Sequence, residues 1–168
     1  MLHLLEPHII QVSVSRGGIP KRAVARAMIT PAGLEGDAFA HPQIHGGPDQ
    51  RVLIVTAEAV DELAARGFPV FYGALGENLT VRGVSLASLR AGQTWRAGDA
   101  ILELTKVRVP CTTLDVYGSG FRNEIYDGRV RRGDTASPLW ARSGFYAAVR
   151  RPGLVSPGAP FELMFQTA

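Results

Sequence analysis

Hydrophobic positions along this chain fall in short runs cut by 19 glycines and 11 prolines, not in long amphipathic faces. "NLTV", "QTWRAG", "AILELTKVRV", "GFYAAVRR" and "FELMF" read as strands, separated by turns such as "RAGD" at 96–99 and "PGLVSPG" at 152–158. "VLIVT" at 52–56 is apolar apart from its last residue and predicts a buried strand. One helix follows it. Thr56 is placed to cap the N-terminus, Glu58 lies in the first turn, Val60, Leu63 and Ala64 share a face, and Gly67 closes the end. Many short strands with little helix predict a mainly β fold, a single β-barrel domain over residues 1–168 with one or a few short helices. The stretch from Tyr117 to Ser143 has few apolar residues and weak periodicity, and is expected to form a flap over one barrel end.

Side chains alternate across a strand, so in "AILELTKVRVPC" Leu102 and Leu104 point one way, and Lys106 and Arg108 continue that side. A face that begins apolar and ends doubly basic is expected of a strand running from the core to an open rim, where Pro110 stops ladder pairing. Cys111 then sits at a strand end beside positive charge. Nearby cations favour the thiolate, a better nucleophile and a better soft-metal ligand; the competing reading is an inert small hydrophobe.

Composition narrows the classes. Apolar residues make up 46% and charged residues 20% of the 168, an ordinary globular balance, and no apolar run is long enough to span a bilayer. The opening "MLHLLEPHIIQVSVS" lacks a basic n-region and a small-residue cleavage site, so it is expected to be a first strand, and the expected compartment is the cytoplasm. A single cysteine excludes an internal disulfide and a multi-cysteine zinc site. The net charge of +3 suits a small anionic ligand; "RVRR" at 129–132 comes without a nucleic-acid signature and is read as solvated loop.

Three other segments hold candidate chemistry. "GLEGDAFAHPQIHGGPDQR" at 33–51 gathers Asp37, His41, His45 and Arg51 among glycines and prolines. His41 and His45 have a helical metal-ligand spacing, but Pro42, Gly46 and Gly47 argue against a helix. A polar turn with satisfied histidines competes with a site in which His45 hydrogen-bonds a ligand and Gly46 and Gly47 bring backbone N–H groups to an anion. "GALGENLTVRG" at 73–83 places Glu77 and Asn78 before a strand, where Asn78 either caps a turn or holds a ligand. "SRGGIPKRAV" at 15–24 offers Lys21 after the first strand, ordinarily a surface position.

In order and wording these segments resemble the MOSC domain, the family named after the C-terminal part of molybdenum cofactor sulfurase. The resemblance rests on "GGIPK", "GLEGD" followed by "HGG", "GENL", "VRVPC" and "GFYAAVRRPGLVSPGAPFEL", and covers about residues 10 to 165. It is strongest to the small bacterial stand-alone members. It implies a β-barrel holding the molybdenum cofactor (molybdopterin), with Cys111 binding molybdenum through sulfur. Lys21, Arg51 and Arg108 are then candidates for the pterin phosphate, His45, Gly46, Gly47, Glu77 and Asn78 line the pocket, and Asp37, with Glu77 second, is the acid near the substrate. The implied activity is reduction of small N-hydroxylated substrates such as hydroxylaminopurines, by a monomer or homodimer fed by an external electron-transfer protein, with no nucleic acid or membrane involved. Two alternatives share the lone thiol: a sulfur carrier with a Cys111 persulfide, and a non-catalytic cofactor carrier.

Overall fold

Strand-forming residues bounded by glycine turns give eleven strands in the computed structural model, which describes residues 6–38 and 47–165. In chain order these are β1 His8–Val14, β2 Arg22–Val24, β3 Ala27–Thr30, β4 Gly33–Leu34 and β5 Val52–Thr56. Helix α1 Ala57–Ala65, β6 Leu79–Arg82, β7 Thr94–Ala97 and β8 Ala100–Val107 follow. Helix α2 Gly128–Arg131, β9 Phe145–Arg151, β10 Gly153–Val155 and β11 Phe161–Phe165 complete the chain. Short 3-10 turns lie at Leu86–Ser88, Thr112–Tyr117 and Phe121–Glu124.

Eight strands form one sheet in the order β11-β7-β8-β9-β5-β6-β1-β2, and β10-β3-β4 form a second. All pairs are antiparallel except β5 with β6, which α1 connects as a parallel crossover. Among the described residues neither sheet closes into the expected barrel. A bridge between His8 and Pro160, with Ile9 N–H donating to the Ala159 carbonyl at 2.8 Å, draws β1 toward the start of β11, but no ladder joins the two strands. The coarser expectation stands: the fold is mainly β with few helices.

The five residues of β5 are all buried, as their unbroken apolar run requires. Thr56 Oγ1 accepts from Ala59 N–H at 3.3 Å and caps α1, which buries Val60 and Leu63; Ala64, expected on that face, is exposed. "PGLVSPG" is not all turn, because 153–155 pair with β3 as β10. Gly153 is confined there, since a Cβ would lie 2.3 Å from the Asp99 carbonyl carbon.

Residues 117–143 depart furthest from expectation. Tyr117, Phe121, Ile125, Val130, Trp140 and Ala141 are buried, and Tyr117, Phe121 and Ile125 share a second core with Val60 and Leu63 of α1. The region is a packed wall built of short turns. Its apolar residues follow neither strand nor helix period, so pattern reading passes over them.

Candidate functional site

Beyond β8 the chain is held by Arg108, whose N–H donates to the Gly144 carbonyl at 2.8 Å while its own carbonyl accepts from Ser143 Oγ at 2.6 Å. Lys106, near the end of β8, is exposed, while Arg108, just past that end, is buried; the β8–β9 register shifts between Leu104 and Lys106. The Arg108 guanidinium donates to the Leu75 carbonyl at 2.9 Å and the Ser143 carbonyl at 3.3 Å, and among the described residues no carboxylate pairs with it. Burial pushes its pKa down, opposed by the charges of Tyr146, Cys111 and Glu77. A buried cation satisfied only by carbonyls keeps its attraction for an anion.

Cys111 follows three residues later, partly exposed, at the head of the 3-10 turn. Its Sγ lies 2.7 Å from Thr113 Oγ1. Burial raises the thiol pKa, but hydrogen bonds from the Thr113 hydroxyl and backbone, together with the Arg108 charge, outweigh it and leave the thiol below its ordinary value. Lys106, expected from alternation to help, is turned to solvent.

Glu77 is fully buried and shapes the loop that holds Arg108. Its carboxylate accepts from Gly73 N–H at 2.7 Å, Leu75 N–H at 3.1 Å and Thr80 Oγ1 at 3.2 Å. The carbonyls this folding turns outward take Arg108 at Leu75 and the Tyr117 hydroxyl at Ala74, the latter at 2.5 Å. Burial raises the Glu77 pKa, against these hydrogen bonds and the Arg108 charge. Gly73 is required at the turn: its φ is +99°, and a Cβ would stand 2.2 Å from the Lys21 carbonyl oxygen.

The second network joins Lys21, Asp37 and Asn78. Lys21 Nζ is 2.6 Å from Asp37 Oδ1, with side chains only 10% and 3% exposed. Asp37 also accepts from Ser15 N–H at 2.9 Å and Asn78 Nδ2 at 2.8 Å. Asn78 ties β5 to β1, its Oδ1 accepting from Leu53 N–H at 3.1 Å and its Nδ2 donating to the Ser13 carbonyl at 3.2 Å. Lys21, expected at the surface or on a phosphate, is an internal counter-ion, and the Asp37 carboxylate accepts three hydrogen bonds within the fold.

Arg51 stands at the entry to β5, where its N–H donates to the Ala147 carbonyl at 3.1 Å and its Nε is buried with no partner among the described residues. Gly47 is exposed, with no neighbour within 4 Å of where a Cβ would sit. His41, His45 and Gly46 lie outside the described residues. Among the described residues no three acidic, histidine or cysteine side chains cluster as a metal cage. The sequence reading missed Thr113, which follows the cysteine by two, and Tyr146, whose pKa burial raises although Arg108 opposes it.

A mainly β fold whose longest strand, β8, leads to a single partly exposed cysteine beside a buried arginine is a single-cysteine β domain. The MOSC domain family matches residues 41–162, and the chain belongs to that family. It is 34% identical over 151 residues to the uncharacterized protein YflK of Bacillus subtilis (strain 168), covering 88% of this chain and 63% of the relative. It is 33% identical over 142 residues to protein YiiM of Escherichia coli (strain K12), covering 82% of this chain and 58% of the relative. The chain thus spans less than two thirds of the length of either curated relative. The solved structure of YiiM from Escherichia coli superposes with a TM-score of 0.65 at 27% identity, over 96% of this chain and 71% of that one. Among the described residues no helix is long and apolar enough to cross a membrane.

Proposed function

We propose that the chain is a molybdenum-cofactor-binding oxidoreductase that removes oxygen from N-hydroxylated substrates, with electrons supplied by another protein. The observation carrying this reading is the buried Arg108 guanidinium, without a carboxylate partner among the described residues, set beside a thiol of lowered pKa. The residues fit the group. A thiolate is the soft donor molybdenum takes, which makes Cys111 the candidate ligand, and Arg108 with Arg51 Nε, which has no partner among the described residues, suits an anionic cofactor. When bound, the cofactor supplies two-electron exchange with the oxygen of an N–O bond.

Around it the chain's own residues hold, orient and protonate. The Thr113 hydroxyl and the Arg108 charge favour the thiolate form of Cys111. Glu77 fixes the carbonyls that aim Arg108, and Lys21 with Asp37 and Asn78 braces the adjoining strands. Proton delivery, expected of Asp37 or Glu77, is moved from both because each carboxylate already accepts three hydrogen bonds inside the fold and is closed to solvent. Tyr146, a phenol whose pKa burial pushes further up and which lies within electrostatic reach of Arg108 and Cys111, is the group we assign to hold a proton there.

The test is reduction of a hydroxylaminopurine to its amine by cofactor-loaded protein with a flavoprotein donor. Turnover is expected; absence of reduction across a panel of hydroxylamines and amidoximes by molybdenum-loaded protein would contradict the reading. The partly exposed low-pKa thiol also favours a second reading, sulfur transfer through a Cys111 persulfide. Protein free of molybdenum but carrying sulfane sulfur on Cys111 by intact mass would select it.

A further inference from the structure

The basic stretch "RVRR" takes a defined place in the fold. Asp127 caps α2 by accepting from Val130 N–H at 2.8 Å, and Arg129 Nε is 2.7 Å from Asp134. Arg131 does not pair with a carboxylate among the described residues, and it lines a cleft of about 310 Å³ together with Val109 and Pro110, the residues immediately before Cys111. That volume lies at the small end of ligand sites.

Arg122, Asn123 and Tyr126 also face this space. Arg122 donates from Nε and Nη2 to Asp115 at 2.8 and 3.3 Å, which leaves Nη1 uncommitted. Its charge is strengthened first by Asp115 and also by Cys111, which places this wall within electrostatic reach of the thiol. The one acid in the lining, Asp127, spends its oxygens on Val130 N–H and on Ser137 Oγ at 3.2 and 3.4 Å. Two guanidinium groups, an amide and a phenol around a small opening suit a compact dianion attached to an aromatic ring: arginine matches phosphate geometry, and the ring packs on tyrosine.

We propose that this cleft is a phosphomonoester subsite, filled by the 5′-phosphate of the substrate, so that nucleotide forms of N-hydroxylated bases are taken in preference to free bases. The assignment to substrate rests on the reductase reading; phosphate binding itself does not. The alternative source of the same chemistry is the phosphate of the pterin cofactor.

Isothermal titration of the full chain with adenosine 5′-monophosphate, adenosine and inorganic phosphate tests it. The monophosphate is expected to bind at least about tenfold tighter than adenosine, and Arg131→Ala to weaken it by about ten- to a hundredfold without changing adenosine. Arg131→Lys recovers part, because the charge remains and the fork is lost. Equal binding of monophosphate and adenosine, or an Arg131→Ala variant that binds like wild type, overturns the subsite. Molybdenum and pterin content of Arg131→Ala from a cofactor-competent host is expected to match wild type; loss of cofactor in step with loss of phosphate binding overturns the substrate assignment and gives the cleft to the cofactor. Monophosphate binding through Arg131 in a loaded protein that reduces nothing supports the subsite and sinks the reductase reading instead.

Discussion

Lys21 and Arg108 are buried to nearly the same degree, 8% and 6% exposed, yet the fold treats their charges in opposite ways. Lys21 is matched by Asp37 at 2.6 Å inside a ring of hydrogen bonds. Arg108 is held by two carbonyls, and among the described residues no carboxylate pairs with it, while the charges of Tyr146, the partly exposed Cys111 and Glu77 act on it. A cation neutralised from within adds rigidity and has little left for a ligand. One aimed by dipoles alone remains available, so the contrast separates scaffold from site more sharply than residue type does.

The largest effect should come from breaking the matched pair. Lys21→Met strands the Asp37 carboxylate in the interior and is expected to cost about 3–5 kcal/mol in urea unfolding, with Lys21→Met/Asp37→Asn recovering part of the loss. Arg108→Met should cost less, since burial already works against its charge. Equal losses at the two positions would erase the contrast.

Next in size is the thiol. Alkylation rate against pH should show the Cys111 midpoint below that of a free cysteine, and both Thr113→Val and Arg108→Met should move it up. The hydroxyl contributes more than the guanidinium, so Thr113→Val is expected to move it further. A midpoint unmoved by either substitution would detach the thiol from its surroundings.

The smallest effect concerns Glu77, whose folded pKa is raised by burial. Between its ordinary and its raised value the folded state binds more protons than the unfolded one, so stability falls as pH rises through that window. Urea midpoints of wild type should therefore gain on those of Glu77→Gln as pH drops from neutral toward the ordinary carboxylate range. A constant difference between the two across that range would show that Glu77 stays ionised.

Periodic elements were legible in advance and long-range pairings were not. The buried β5, the Thr56-capped α1 and the β7–β8 hairpin around its Gly98–Asp99 turn follow from apolar runs, capping chemistry and turn residues, which act over a few positions. The wall at 117–143 buries Phe121 and Trp140 through irregular turns that leave no periodic trace. Cys111 and Arg108 were readable as a thiol and a cation near a strand end, but not that Arg108 folds inward past the end of β8 while Lys106 faces solvent. Asp37 and Lys21 are 16 positions apart, and Glu77 folds its own loop around itself, so both resemble ligands in sequence while their oxygens are already spent inside the fold.

The central claim is that the thiolate beside Arg108 is a metal ligand, and the molybdenum content of protein made in a cofactor-competent host and purified without oxygen tests it most directly. Wild type should carry the metal, and Cys111→Ser should lose most of it while unfolding at the same urea concentration. A folded serine variant as rich in molybdenum as wild type would contradict the account.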